Sequence, residues 1–576
     1  MGLRSSITFL AVLMCLAIEC RVWAADPDPV QAIDAVFQNW NKPDAPGCVL
    51  GLKRPGLEPL VRSYGAADLE HEIPNSEATV FEAGSVSKQF TAAAVLLLAE
   101  KGQISLSDDV RKYLPELPRY AASITISELL GHTSGLRDWG EVEAMAGWPR
   151  TSRIYTLDDV LAIAARQERL NYRPGTAYSY TNTGFNLLAI IVARVARQSL
   201  AEFTHERLFV PLGMEHTQWR EDFTRVVKGR AIAYELGHAG YHQNMPFENV
   251  YGQGGLLTTV GDLLRWNDAL TAGELGEFVT REIMRQTRLE DGQPIAYARG
   301  LFTGSYHGAR EIAHAGATAG YRTWLGRYPD QQLSIALLCN AADADTTALA
   351  HAVADQFLPS AAPPGAQTTV ALSAAQLAAR SGLYVDRRRG VWLHLSAQDG
   401  TLRLPNGEVL IAVSPVEFTA GSISYRFSGS QHLTTQSADG GVGEYLRGQP
   451  WRPSAAQLAQ FAGSFHSDEA LASLDVQVQG ERLVMTPADR RADPITLLPL
   501  VADTFEAAPI GLVHFGRDHA HSVVALEMSN QRVYSLRFAR TAWNSRLTPA
   551  AGGPPPAVSC LDSQFLLAHR VSPCRP

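Results

Sequence analysis

The sequence has 576 residues, 46% hydrophobic and 19% charged, with 50 basic side chains against 58 acidic ones and a formal charge of −8. At ~150 residues per domain this length holds three or four domains, which excludes a single small binding module, and the balance of residue types is that of a globular chain, not of a disordered or membrane-embedded one. No basic block interrupts it, which argues against nucleic acid or an anionic membrane surface as the main partner and for a small molecule or peptide.

From the N-terminus, Arg4 precedes an apolar run from Ile7 to Ile18, and Val22-Trp23-Ala24 offers the small residues of a cleavage site. Residues 1–24 read as a secretory signal peptide. The run ends at Glu19 and Arg21, short of the ~18 apolar residues of a membrane span, and no later segment approaches one, so stable membrane insertion is not expected. The expected location is outside the cytosol, in an oxidising compartment such as a bacterial periplasm. Loss of Cys15 and Cys20 leaves Cys48, Cys339, Cys560 and Cys574. An even count in such a compartment favours pairing, and Cys560 with Cys574 would close a short loop.

Residues 26–358 read as a mixed α and β unit. Residues 47–52 and 60–64 read as strands joined by a Pro55-Gly56 turn, and 309–314, 321–328 and 333–339 as three more. Between them, 86–101, 157–167, 184–197 and 260–271 carry apolar residues at helical spacing. Strands that bracket a helical insertion make a two-lobed body, with a cleft between the lobes. Residues 359–371 have linker composition. Beyond them, Ser-Ala-Ala-Gln-Leu-Ala at 373–378 returns at 454–459, and Gly382-x-Tyr384 returns at the same offset as Gly463-x-Phe465. Two such units of short alternating strands, 372–450 and 451–545, read as small antiparallel β-barrels with a scaffolding role, followed by a tail at 546–576.

Three segments carry residues suited to chemistry. Ser85-Val86-Ser87-Lys88 stands at the start of a long helix, so Ser85 and Lys88 lie one turn apart on one face. A serine hydroxyl is a weak nucleophile until a base takes its proton, and a desolvated lysine can serve. Only six lysines occur, none after Lys228, which leaves few alternatives. Tyr180-Thr181-Asn182 precedes the third helix, where a buried tyrosine and a capping asparagine would be the plain structural explanation. His314-Ala315-Gly316 ends a strand, where Gly316 would let a substrate lie against the strand edge. No zinc-ligand spacing, Gly-x-Ser-x-Gly elbow, phosphate loop or dinucleotide fingerprint is present in the sequence, so no cofactor or metal is expected.

Phe81-Glu82-Ala83-Gly84-Ser85-Val86-Ser87-Lys88, Gly131-His132-Thr133-Ser134-Gly135-Leu136, Tyr180-Thr181-Asn182, Gly254-Gly255-Leu256 with Thr258-Thr259, and His314-Ala315-Gly316 follow one another in order. Together they resemble the penicillin-recognising serine hydrolases: class C β-lactamases, D,D-peptidases, D-aminopeptidases and related esterases. The resemblance spans about residues 30–345 and implies an α+β, β-lactamase/transpeptidase-like domain with a five-stranded antiparallel sheet and a helical lobe. With the two barrels it is similar to the three-domain D-aminopeptidases. It implies that Ser85 is acylated, that Lys88 and Tyr180 share the proton traffic, and that Asn182 holds the substrate amide. It implies an oxyanion hole at the backbone N–H groups of Ser85 and Ala317, and puts His314 where β-lactamases usually carry lysine. Ala315 and Ala317 stand where carboxypeptidase-type relatives have hydroxyls, which favours an aminopeptidase or esterase over a D,D-carboxypeptidase or β-lactamase.

In the family's sheet the strands bearing Cys48 and Cys339 are antiparallel neighbours, so the resemblance would bring those thiols together. It also implies that a loop of the last barrel reaches the site with a carboxylate for a substrate ammonium; Asp518, in the polar turn 516–521, is the candidate, with Asp503 second. An ordinary solvated hairpin is the alternative there. The expected protein is a secreted serine hydrolase acting on small peptides, amides or esters, most plausibly with D-amino acids. The competing reading is a non-catalytic binder of peptides or cell-wall fragments. The sequence leaves oligomeric state open.

Overall fold

The computed structural model describes residues 29–55, 58–359, 369–437, 439–488 and 493–541. The expected signal peptide, most of the expected linker, the tail and the expected pairing of Cys560 with Cys574 lie outside the described residues.

The first domain is centred on an antiparallel sheet of β1 (Cys48–Lys53), β2 (Leu60–Tyr64), β3 (Phe302–Tyr306), β4 (Ala309–Thr318), β5 (Tyr321–Tyr328) and β6 (Leu333–Cys339), in the order β3-β4-β5-β6-β1-β2. The sheet therefore has six strands where five were expected. The extra edge strand, β3, reads Phe-Thr-Gly-Ser-Tyr and buries none of its residues fully, so it carries no hydrophobic alternation to reveal it. The central strand β6 is buried at every position, as a strand covered on both faces must be. Ala336 and Leu338 share a core with Val260 and Leu264 of the helix Val260–Ala272, whereas Leu337 and Cys339 pack with Ala350 and Val353 of the helix Thr346–Ala354. Cys48 and Cys339 face each other across β1 and β6 and are joined in a disulfide.

The helical lobe is built on α1 (Lys88–Glu100), which is buried over most of its circumference, and α2 (Asn182–Ala196), which packs beside it. Phe90 of α1 lies between Phe209 and Trp266, with ring centroids 5.8 Å and 4.3 Å away, and its truncation to Ala would cost about 3–5 kcal/mol. Among the described residues no single helix is long and apolar enough to cross a membrane.

Both repeats close into eight-stranded antiparallel barrels, the first strand of each pairing with its last. The repeated sequence has a repeated cause. Ser373 and Ser454 each cap a short helix, reciprocated by Gln376 and Gln457. The next strand then starts at Gly382 or Gly463, against the guanidinium of Arg447 or Arg540. Tyr384, Phe418 and Phe427 fill the first barrel, and Phe465, Phe505 and Phe515 the second. The second barrel is tied to the first domain through Arg137, which is buried and donates to Glu469 and to the Tyr534 carbonyl. Asn171 adds two bonds, donating to the Arg532 carbonyl and accepting from the Tyr534 N–H.

Candidate active site

Ser85 sits in a single 3-10 turn, Gly84–Ser87, and Lys88 opens α1. The nucleophile thus lies just before the α-helix, not in its first turn. Two glycines press this turn onto β4. Gly84 has φ +50°, and a Cβ on it would fall 2.7 Å from the Ala317 nitrogen; a Cβ on Gly316 would fall 2.3 Å from the Ala83 oxygen and 3.0 Å from the Ser85 nitrogen. Only glycine allows that approach, and it brings the N–H groups of Ser85 and Ala317 side by side. Thr323, paired with Gly316 across β4 and β5, fastens the turn by donating to the Ala83 carbonyl at 2.8 Å. The other serines in these motifs are unavailable: Ser87 and Ser134 are fully buried, and each hydroxyl accepts a backbone N–H, from Leu256 and Leu136.

Lys88 Nζ lies 3.1 Å from Ser85 Oγ, 3.0 Å from Asn182 Oδ1 and 2.8 Å from the Gln253 carbonyl. The lysine is wholly buried, and no carboxylate pairs with it among the described residues. Burial, then the nearby charge of Arg532, hold its ammonium pKa well below the ordinary lysine value, against a raising effect of Asp138. Two of its neighbours are pure acceptors and the third is a hydroxyl that can donate. A neutral amine, with two N–H groups and one lone pair, satisfies that set.

Tyr180 completes the group. Its ring lies 4.8 Å from Lys88 Nζ, and its hydroxyl is buried beside that of Ser85. Burial raises the phenol pKa, while the Ser85 hydroxyl and Arg532 oppose the rise. Thr181, not Asn182, caps α2, its hydroxyl accepting from the Thr183 N–H. The Asn182 side chain is thereby left for Lys88, while the Asn182 backbone N–H donates to Asp138 Oδ2 at 2.6 Å.

His314 lines the same cleft but does not replace a lysine's charge. Burial, then Lys88, depress its pKa to about 3, so the imidazole is neutral at physiological pH. Nδ1 donates to the Ala315 carbonyl, and Nε2 is buried without a partner.

Ser85, Tyr180, Asn182 and His314 border a cavity of about 650 Å³ that also takes in Gly316, Ala317, Thr318, Asp439 and Arg532, with Lys88 behind its wall. The sequence-based choice of Asp518 is corrected here. Its carboxylate accepts from the Ala520 and Ser522 N–H groups of its own turn, and Asp503 is paired with Arg517; neither borders the cavity. The turn of the second barrel that reaches the cleft is 530–533, and it carries Arg532, a cation, with its guanidinium 5.2 Å from the Tyr180 ring centre. Sequence reasoning also passed over His132, which stacks 4.3 Å from Tyr180 and accepts from the Thr181 N–H, and Asp138. His132 was visible inside its motif. Arg532 gave no signal, since Asn530-Gln531-Arg532 reads as any polar turn.

The β-lactamase family model matches residues 33–357. The chain belongs to that family. A D-aminopeptidase of Cereibacter sphaeroides is 27% identical over 450 residues, covering 75% of this chain and 82% of that protein. Penicillin-binding protein 4* of Bacillus subtilis is 29% identical over 48% of this chain and 64% of its own length. Among solved structures, the octameric penicillin-binding protein homologue of Pyrococcus abyssi superposes with a TM-score of 0.52 at 18% identity, over 80% of this chain and 98% of that one. The D-amino acid amidase of Ochrobactrum anthropi SV3 gives 0.50 at 22% identity, over 57% and 98%; these two likenesses speak to fold alone. The protein is a serine hydrolase of the β-lactamase-like fold.

Proposed function

We propose that the protein is secreted, to a periplasm-like compartment, and hydrolyses amide bonds of small peptides containing D-amino acids through an acyl-enzyme on Ser85. The observation that carries the chemistry is the Lys88 amine, buried without a counter-ion and 3.1 Å from Ser85 Oγ. Ser85 Oγ–H donates to the Nζ lone pair. As the proton transfers, Oγ bonds to the substrate carbonyl carbon, and the carbonyl oxygen takes up the electron pair between the Ser85 and Ala317 N–H groups. Collapse breaks the C–N bond, and the leaving nitrogen receives a proton. Lys88 does not border the cavity and Tyr180 does, so the tyrosine hydroxyl is the group that hands the proton over, with Lys88 behind it. Water then attacks the ester carbonyl as the Tyr180–Lys88 pair takes its proton; the bond from Oγ to the acyl carbon breaks, Ser85 Oγ recovers that proton, and the free acid leaves.

The D-aminopeptidase relative supports the substrate class, and the absence of hydroxyls at Ala315 and Ala317 agrees with it. Turnover of a panel holding a D-alanine amide, a D-Ala-D-Ala peptide, a cephalosporin and a short-chain ester tests the reading. Preference for the D-amino-acid compounds is expected; exclusive turnover of the cephalosporin or the ester would replace it.

A further inference from the structure

The cleft contains positive charges of unequal availability. Arg150 is paired with Glu248, and Arg322 spends Nη1 on the carbonyls of Ala319 and Tyr321. The Arg532 side chain makes no hydrogen bond and no ion pair among the described residues; it lies against the face of Tyr180 and acts on Glu141 through its charge alone. The carboxylates around it are engaged. Asp138 accepts from the N–H groups of Gly140, Glu141 and Asn182. Glu141 accepts from Asn530, and Asp439 from Ser437 and the Gly441 N–H. The Arg532 backbone is fixed at both ends, its N–H donating to Asn530 Oδ1 and its carbonyl accepting from Asn171 and the Asp138 N–H. A part-exposed arginine on an anchored backbone, against an aromatic face and on the same cavity as Ser85, is built to receive a planar anion.

We propose that Arg532 is a specificity-determining residue that binds the carboxylate of the amino acid leaving from the scissile amide. The second barrel thereby directs the enzyme to peptides that end one residue beyond the bond it cuts. This rests on the acyl-enzyme reading above. The leaving nitrogen must stand at the Tyr180 hydroxyl to receive its proton, and the carboxylate carbon of an amino acid lies only ~2.5 Å from its own nitrogen. The guanidinium over the same ring is therefore within reach. On the opposite wall His314 is neutral, Ala315 and Ala317 carry no donor side chain, Thr318 offers a hydroxyl without charge, and Arg322 already donates Nη1 to two carbonyls.

The test compares kcat/KM for D-alanyl-D-alanine and for its C-terminal amide in the wild-type protein and in Arg532→Gln, at a pH on the plateau of both. A lost bidentate contact should lower the free acid by about 10–100-fold more than the amide, and Arg532→Lys should restore part of the difference. Parallel loss on both substrates, or a wild-type preference for the amide, would overturn the assignment. Labelling of Ser85 by a neutral activated ester separates the two levels. Acylation without discrimination between acid and amide overturns the role of Arg532 alone, whereas absence of acylation overturns the acyl-enzyme reading with it.

Discussion

In the first barrel the last two strands, His432–Ser437 and Val442–Gly448, turn through Asp439; in the second the last two, Val523–Asn530 and Val533–Thr541, turn through Arg532. The same position in the same repeat thus reaches the cleft twice with opposite charge. The two barrels are attached unequally. The first makes a bond from Arg388 to the Asn171 carbonyl, while the second adds Arg137, Asn171, Ser179 and Glu141 to its contacts, several of them buried. Duplication supplied two equal frames, and a few residues at one turn decide which frame shapes the chemistry.

If the barrels only present a site that the catalytic domain completes, the largest effect should come from that domain. Lys88→Met should lower kcat by about 10³–10⁴-fold. Because it removes a buried amine that no carboxylate neutralises, it should leave the melting temperature unchanged or raised. A drop in both would make Lys88 structural.

The strand side of the cleft should respond to acid. With its pKa depressed to about 3 from 6.5, His314 gives the native state stability that is fully present above pH 6.5. That stability is lost as pH falls through the window down to 3, because the unfolded chain binds the proton first. The amount is on the order of 5 kcal/mol. Denaturation between pH 7 and 4 should show a shallower loss in His314→Gln; parallel curves would mean the imidazole is charged in the fold.

The attachment contrast is sharper in stability. Arg137→Ala leaves Glu469 buried without its partner and should cost about 3 kcal/mol, measured by urea denaturation. Arg388→Ala, at a part-exposed contact, should cost less than about 1 kcal/mol. Equal costs would dissolve the asymmetry between the barrels.

The smallest effect separates the two turns most finely. Arg532 lowers the pKa of Lys88, so Arg532→Gln should raise it and move the acid limb of kcat/KM to higher pH. Asp439 is not among the charges that act on Lys88, and Asp439→Asn should leave that limb in place. A shift with Asp439→Asn and none with Arg532→Gln would exchange the roles of the barrels.

What the sequence disclosed follows from how each feature is encoded. The helices beginning near Lys88, Leu157, Asn182 and Val260 are apolar at helical spacing, the last three are capped by threonines, and the barrels repeat their own capping boxes, so local pattern sufficed. Ser85, Lys88 and Tyr180 were reached through motif order. The β3 edge strand had too little apolar content to be seen. Arg532 belongs to the site only because a hairpin about 350 residues after Tyr180 folds back onto it, and no local pattern records that. Asp518 was chosen on polarity, which marks any exposed turn, whereas the turn that docks is the one whose backbone is bonded to Asn171 and Asp138.

The central claim is that Ser85, activated by Lys88, carries the acyl group. Intact-protein mass spectrometry after brief exposure to a slowly deacylating ester, followed by peptide mapping, tests it directly. A single adduct on Ser85, absent from Ser85→Ala and strongly reduced in Lys88→Met, is the predicted result. An adduct on Ser87 or Ser134, or labelling that survives Ser85→Ala, would contradict it.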